Sequence, residues 1–239
     1  MGNVRKTLDL ILVSVLPLFL LSCKKDNYSA PNIHLKGNIV YNGENINVSY
    51  NDVTFQLWEP GWGKLTPINV TVNQDGSYSA LLFKGKYKLV FPPGAGPFIP
   101  EKDKNSGNDT IYIDLQTDMN LDINVTPYYL IKNSQFSFTS TDSTVHAKFK
   151  IHKIISDSLI SQGVESVTLY ISKTNWVDGR TSIASSTISG SSIVDTNNVS
   201  LSVRIPSMVP VQHYVFARIG LKITNIGKMI FSPIEEIDF

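Results

Sequence analysis

Residues 74–90, QDGSYSALLFKGKYKLV, decide the fold class of this chain. Asp75-Gly76 is a hairpin dipeptide, because Gly adopts a positive φ without strain and Asp tolerates one. On either side of Lys84-Gly85, apolar or aromatic residues alternate with polar ones, which is the period of a half-buried β-strand. The stretch therefore predicts strands over 77–83 and 86–91 that are joined by a tight turn.

The same pattern extends along the chain in both directions. Short runs rich in β-branched and aromatic residues are separated by Gly, Asn, Asp and Pro clusters, as in β-sandwiches. No window sustains the helical period of 3.6, so we expect little or no helix outside the N-terminal leader. The predicted strands cover 33–41, 53–58, 68–72, 77–83, 86–91, 110–115, 121–126, 135–139, 145–150, 164–172, 184–189, 199–205, 213–224 and 229–237.

The strands divide evenly around residues 127–133. This division predicts an all-β chain with two tandem β-sandwich domains, over 27–130 and 131–239, that follow a cleaved lipoprotein signal peptide. Removal of residues 1–22 from the 239-residue chain leaves 217 residues, which suits two domains of about 100 residues each. No linker rich in Gly, Ser or Pro separates them, so we expect the domains to abut with limited freedom.

The N-terminus has the features of an export signal. Arg5 and Lys6 precede the apolar stretch 8–21, which is shorter than the roughly 20 residues of a bilayer-spanning helix. The run LLSC at 20–23 resembles the bacterial lipobox, in which signal peptidase cleaves before a lipidated cysteine. The resemblance implies that residues 1–22 are removed and that Cys23, the single cysteine of the chain, is lipidated. An ordinary cleaved signal with an incidental cysteine is the alternative.

Residues 23–26 then form the predicted lipidated tether. The run KKD at 24–26 resembles the surface-export signals of some Gram-negative lipoproteins. This second resemblance implies a protein that is lipid-anchored in the outer membrane and faces the cell exterior. Stable anchoring requires two or three acyl chains, because a single chain holds a protein only weakly.

Composition excludes several classes of protein. Without Arg5, Lys6 and Asp9, the 21 basic and 20 acidic residues become 19 of each, and no basic cluster follows Lys25, so nucleic acid is not an expected partner. Hydrophobic residues make up 42% of the chain, which is too many for a disordered protein. One cysteine permits neither an intramolecular disulfide nor a cysteine-based zinc site.

Catalytic and metal-binding patterns are weak. The four histidines are scattered and never in metal-ligand spacing, and the oxygen-rich loop 103–109 lacks EF-hand spacing. No G-x-S-x-G motif is present. Glycoside hydrolysis needs two carboxylates at a fixed separation, but the closely spaced Asp114, Asp118 and Asp122 are of the kind that solvates turns at strand ends. We therefore predict a protein that is not an enzyme, with no catalytic residues, no metal site and no cofactor.

Aromatic residues near turns are the suggestive feature for binding. A sugar ring has an apolar face that stacks on Trp or Tyr, while nearby amides and carboxylates meet its hydroxyl groups. The loop WEPGWGK at 58–64 places Trp58 and Trp62 near a turn, and Trp176 borders another turn. These tryptophans are the predicted glycan-binding residues. The alternatives are that the rings fold back over a sandwich edge, seal the domain joint or contact another protein.

Several runs resemble a known family. GNI at 37–39, DGSY at 75–78 and GKYKL at 85–89 resemble the carboxypeptidase-regulatory-like, transthyretin-like sandwich. A fuller set of runs resembles a family of surface lipoproteins named for a domain of unknown function, DUF3823. The set is DNY at 26–28, PN at 31–32, QDG at 74–76, LF at 82–83, YKLV at 87–90, GAGPF at 94–98 and VTPY at 125–128. The run YVFARIGL at 214–221 is similar to that family's fibronectin type III-like C-terminal module.

The family resemblance implies location and partners rather than chemistry. Members are typically encoded beside SusC/SusD-type outer-membrane pairs that capture and import glycans. Two functions remain open: weak polysaccharide binding through loop aromatics near such an importer, and a structural subunit that packs against the transporter pair with no sugar contact. We favour binding without catalysis, with Trp58 and Trp62 as the stacking platform.

Overall fold

A computed structural model describes residues 29–61, 64–102 and 107–239. The predicted signal peptide, the tether with Cys23, and Trp62 lie outside these described residues. Asn32–Phe239 forms one compact unit. Among the described residues, no helix has the length and apolar character needed to cross a membrane.

The described residues of the first half form ten strands in two sheets. In chain order they are β1 (Ile33–Tyr41), β2 (Glu44–Asn45), β3 (Thr54–Trp58), β4 (Ile68–Thr71), β5 (Ser77–Leu82), β6 (Gly85–Val90), β7 (Phe98–Pro100), β8 (Ile111–Leu115), β9 (Met119–Asn120) and β10 (Ile123–Pro127). One sheet runs β2-β1-β10-β7, with β5 and β9 also paired to β1, and the other runs β4-β3-β6-β8.

The second half contains eight strands, also in two sheets. They are β11 (Tyr129–Thr139), β12 (Thr144–Lys153), β13 (Val164–Ser172), β14 (Ala184–Ser189), β15 (Val199–Arg204), β16 (Tyr214–Ile223), β17 (Ile230–Phe231) and β18 (Glu235–Asp238). One sheet runs β11-β12-β15, and the other runs β14-β13-β16-β17 with β18 also paired to β16. The predicted all-β, tandem-sandwich fold class is confirmed. In the described part of the chain the only helical element is a 3-10 turn, Gly190–Ser192.

Alternation along the strands builds the core. Phe55 and Leu57 on β3 and Leu89 on β6 are fully buried, while their sequence neighbours face outward. The buried apolar residues of both halves form one continuous cluster. No buried side-chain nitrogen or oxygen of the described residues lacks a hydrogen-bond partner.

Two predicted strands differ from the structure for local reasons. The predicted strand 229–237 is divided into β17 and β18 around Pro233, because proline cannot donate to a strand ladder. Strand β11 begins at Tyr129 rather than at residue 135. A bulge between Lys132 and Gln135, with Asn133 at φ 53°, interrupts its alternation and hides its first segment from a period-2 pattern.

Candidate functional site

Arg218 of β16 joins the two halves of the unit. Its side chain is 1% exposed and donates hydrogen bonds from Nε to the Ser232 carbonyl (2.8 Å), from Nη1 to the Val48 carbonyl (3.1 Å) and from Nη2 to the Gln74 carbonyl (2.6 Å). Its guanidinium carbon lies 4.4 Å from the centre of the Phe231 ring. Val48 and Gln74 belong to the first sandwich and Ser232 to the second, so one planar cation fixes both.

The guanidinium of Arg218 stays charged at neutral pH. Burial lowers its pKa to about 9, while the nearby carboxylates of Asp178 and Asp75 act in the opposite direction. The positive charge is balanced by carbonyl dipoles at hydrogen-bond distance rather than by a carboxylate in contact. The hydrogen-bonding atoms of this cation are therefore engaged by the protein itself.

A second anchor fixes the loop between β13 and β14 to the loop between β2 and β3. Asp178 is 5% exposed and accepts hydrogen bonds from Ser49 Oγ (2.8 Å) and Arg180 Nε (3.1 Å). Arg180 also donates from Nη2 to the Tyr50 carbonyl. Burial acts to raise the pKa of Asp178, but the hydrogen bonds from Arg180 and Ser49 outweigh it and hold that pKa below its ordinary value.

This anchor presents two aromatic rings side by side. Trp176 and Tyr50 have ring centres 4.2 Å apart at an angle of 52°, and they are 44% and 37% exposed. Thr181 donates from Oγ1 to the Trp176 carbonyl at 2.6 Å. Gln74 Nε2 also donates to the Asn175 carbonyl at 2.5 Å, so the loop backbone is fixed on both sides of Trp176 before any ligand arrives.

Trp176 borders a groove along the joint of the two sandwiches. One part has a volume of about 490 Å³ and is lined by Trp176, Arg218 and the polar residues Asn47, Asn73, Asp75 and Asn175. The side-chain amides of Asn47 and Asn175 have no hydrogen-bond partner within the described part of the chain. Free amides beside an exposed indole can each donate and accept hydrogen bonds at the rim of a stacking surface.

The groove continues past Asn47, Asp75 and Pro233 into a second part of about 640 Å³. The two parts share these residues, and we call them together the joint groove. Asn133 and Ser134 line the second part and have no side-chain partner among the described residues. The joint groove is therefore long and open, and its lining combines side-chain amides with apolar and aromatic residues.

Ion pairing leaves the joint groove without a free side-chain cation among the described residues. Lys132 forms an ion pair with Glu44 inside the second part. Asp75 Oδ1 accepts hydrogen bonds from Ser77 N (3.0 Å) and Oγ (2.7 Å), which fix the hairpin turn. In the described part of the chain, no group of three or more His, Cys, Asp or Glu side chains is placed to hold a metal ion.

The predicted tryptophans occupy different places. Trp176 lies in the joint groove, whereas Trp58 lies at the end of β3, lines neither part of the groove, and is half-buried. The indole nitrogen of Trp58 donates to Gln56 Oε1 at 3.2 Å. Trp62 lies outside the described residues, so the pairing of Trp58 with Trp62 stays a prediction.

Sequence profiles identify the family. The profile of the "Protein of unknown function (DUF3823) N-terminal domain" matches residues 33–126, and that of the "Domain of unknown function (DUF3823_C)" matches residues 129–236. The chain belongs to the DUF3823 family. No functionally curated protein matches it.

Solved structures of DUF3823 proteins are similar to this chain. A DUF3823 protein from Parabacteroides merdae is 30% identical with a TM-score of 0.74, over 88% of this chain and 100% of that one. Another from Bacteroides ovatus is 29% identical with a TM-score of 0.73, over 87% and 99%. A protein from Bacteroides uniformis described as a "putative carbohydrate binding protein" is 16% identical with a TM-score of 0.65, over 88% and 100%, which shows a shared fold.

The carboxylates considered for glycoside hydrolysis have structural contacts in this DUF3823 protein. Asp118 Oδ1 accepts from the His34 backbone amide at 2.8 Å, and Asp122 Oδ1 accepts from the Asn38 backbone amide at 2.9 Å. Both amides belong to β1, so these two carboxylates satisfy backbone donors of that strand. Asp114 lies on β8 and does not line the joint groove.

Sequence reasoning missed the amides of the joint groove. Asn47, Asn73 and Asn175 flank turns, where asparagine is common because it bonds its own backbone and tolerates unusual φ values. Their sequence signal is the same as that of an ordinary turn. Only the packing of the two DUF3823 domains shows that three separate turns meet at one groove.

Proposed function

We propose that this DUF3823 protein is a non-catalytic surface lipoprotein that binds a polysaccharide in the joint groove. The observation that carries the proposal is the exposed Trp176 indole beside unpaired amides in a groove along the domain joint. Sugar recognition uses this combination, because a pyranose offers both an apolar face and hydroxyl groups. The description of the Bacteroides uniformis protein as carbohydrate-binding supports the same class of ligand.

The shape of the joint groove favours an extended chain over a single sugar. Two connected parts of about 490 and 640 Å³ give room along one direction, and both are open to solvent. The lining has no free cation, since its lysine is paired and each guanidinium nitrogen of Arg218 already donates to a carbonyl. We therefore assign neutral polysaccharide chains as the ligand class of this groove.

Affinity at one groove is expected to be low. Ring stacking is worth about 1–3 kcal/mol per ring where it has been measured on nucleic-acid bases. Many copies anchored on one surface would engage a single polymer together, which raises the avidity without a new contact. A lipid tether at Cys23 would anchor many copies on one surface. The glycan-import association that the family resemblance implies is consistent with polymer capture there.

Affinity electrophoresis on a panel of neutral polysaccharides tests the proposal. We expect at least one neutral polymer to retard the wild-type protein and Trp176→Ala to migrate nearly unretarded while melting close to the wild-type temperature. Tyr214→Ala is the matched control, because Tyr214 is an exposed aromatic that lines neither part of the groove. If no polysaccharide retards the wild-type protein and the protein co-purifies with an outer-membrane transporter, these results would instead support the structural-subunit function.

Lipid anchoring is tested separately at Cys23. We expect Cys23→Ala to lose incorporation of labelled palmitate and to release the protein from membranes. A Ser22→Ala variant, which keeps a small residue before the cysteine, is expected to keep both properties. Unlabelled wild-type protein that still sediments with membranes would contradict lipidation.

A further inference from the structure

The outward face of the β4-β3-β6-β8 sheet carries a second group of residues suited to binding. Lys86 and Lys88 on β6 and Tyr112 and Asp114 on β8 are exposed, while Tyr87 between the two lysines is buried. We call Lys86, Lys88, Tyr112 and Asp114 the lysine–tyrosine face. Tyr112 is 61% exposed, which is unusual for so large an aromatic ring on a strand.

Strand register places these residues in rows across the sheet. Lys88 pairs with Tyr112 on one side and with Trp58 on the other, and Lys86 pairs with Asp114. The Lys88 ammonium lies 5.7 Å from the centre of the Tyr112 ring. Because neighbouring strands are about 4.8 Å apart, the backbones of Trp58 and Tyr112 are separated by roughly 10 Å with Lys88 between them.

The charge on this face differs from that of the joint groove. Neither Lys86 nor Lys88 forms an ion pair within the described residues, and Asp114 is the single carboxylate of the face. Asp114 Oδ1 accepts a hydrogen bond from the Gln116 side chain. Both ammonium groups are therefore unpaired, and that of Lys88 lies beside an exposed aromatic ring, above a shallow depression of about 390 Å³ bordered by Pro60.

We propose that the lysine–tyrosine face is a second carbohydrate-binding surface and that it takes an acidic sugar chain. This inference rests on the proposed function, in that it treats the protein as a polysaccharide binder. The carboxylate or sulfate of the sugar would pair with the Lys88 ammonium, and the apolar face of a ring would stack on Tyr112. The depression is open to solvent, so internal units of a long chain can lie across it.

Charge complementarity distinguishes this surface from the joint groove. An acidic sugar in the groove would meet Asp75 and the amides without a free cation, whereas on the sheet it meets Lys88. The two surfaces therefore select different polymers. Binding at the face is expected to weaken with added salt, since an exposed ion pair is screened within about 10 Å at 0.1 M salt.

The experiment is affinity electrophoresis of the full mature chain in gels that contain polygalacturonate, chondroitin sulfate or a neutral polysaccharide. We expect an acidic polymer to retard the wild type, Lys88→Gln to bind it about two- to fivefold more weakly, and Tyr112→Ala about tenfold more weakly. Lys150→Gln is the matched control, because Lys150 is an exposed strand lysine on β12 and its removal changes the net charge equally. We expect Trp176→Ala to leave retardation by the acidic polymers unchanged.

Three results would overturn the second surface. The first is that neither acidic polymer retards the wild type. The second is that Tyr112→Ala migrates like the wild type in both acidic gels. The third is that Lys150→Gln weakens binding as much as Lys88→Gln does. The last result would mean non-specific attraction to charge. The neutral gel with Trp176→Ala decides the joint groove independently, so failure of one surface is distinguishable from failure of the other.

Discussion

The joint groove and the lysine–tyrosine face both present an exposed aromatic ring, but they are built in different ways. In the groove, Trp176 lies on a loop that is fixed by contacts between two sandwiches, through Asp178, Ser49 and Arg180. On the sheet, Tyr112 is exposed because strand alternation turns every second residue outward. The comparison shows that one binding surface depends on tertiary contacts across the joint, while the other depends on a single strand.

The energetic consequences of the two arrangements differ accordingly. Loosening the joint removes the concave shape of the groove, since residues from both halves line it. The same change leaves the register between β6 and β8 intact, because that register is set within the first sandwich. Variants at the joint should therefore separate the two surfaces functionally.

The largest effect is expected at Arg218. Arg218→Met keeps the apolar stem but removes the side-chain donor to the Val48 and Ser232 carbonyls, and it leaves the Gln74 carbonyl with only the Val48 amide. We expect the free energy of unfolding to fall by about 3 kcal/mol or more and neutral-polymer binding to be lost, with acidic-polymer binding retained. Chemical denaturation and gel retardation measure these effects.

Arg218→Lys and Arg204→Met serve as comparisons for that variant. Lysine keeps the charge but lacks the planar fork, so we expect an intermediate loss of stability. Arg204 is exposed on β15, and its replacement should change the free energy of unfolding by less than about 0.5 kcal/mol. Equal stability of Arg218→Met and Arg204→Met would show that the joint does not depend on this cation.

A smaller effect is expected at Asp178. Asp178→Asn weakens the hydrogen bonds from Arg180 and Ser49, so we expect a loss of about 2 kcal/mol at pH 7 and reduced neutral-polymer binding. The pKa of Asp178 is lowered in the folded protein, so its contribution is present above its ordinary pKa and is lost as pH falls through the folded value.

Denaturation of the wild type and Asp178→Asn at pH 7 and at pH 3 checks the sign of this effect. The difference should begin to shrink at the lower pH, because the carboxylate takes up a proton in the unfolded state below its ordinary pKa. Asp142→Asn, at an exposed turn, is the control and should show little difference at either pH. A difference that grows on acidification would contradict the assigned role of the Asp178 carboxylate.

The fold was largely predictable because its determinants are local. The alternation around Asp75-Gly76 and Gly85 specifies β5 and β6, and the observed register places Tyr78 and Tyr87 in the core. The short strands β2, β7 and β9 were missed, since two or three residues carry no readable period. The division of the last predicted strand, by contrast, could have been predicted from Pro233, because proline cannot donate to a strand ladder.

The site was much less predictable than the fold. Three turns that are distant in sequence supply Asn47, Asn73 and Asn175, and the local pattern around each is that of a turn. Arg218 lies in an apolar strand, where a lone arginine suggests an exposed position rather than a 1% exposed one. Its burial follows from carbonyls of the other sandwich, which no local pattern encodes. Trp176 was predicted as a candidate, but its neighbours in the groove were not.

The smallest effect is expected at Trp58, which borders the lysine–tyrosine face but belongs to neither proposed binding surface. Trp58 pairs with Lys88 across β3 and β6, yet its indole nitrogen is already bonded to Gln56. Trp58→Phe keeps an aromatic ring and removes that donor, so we expect a stability loss of about 0.5–1.5 kcal/mol with acidic-polymer retardation unchanged. Gln56→Leu should show a similar stability loss, and the double variant should lose less than the sum of the two because they share one hydrogen bond. Thermal melts and gels measure both, and lost retardation at unchanged stability would instead make Trp58 part of the binding face.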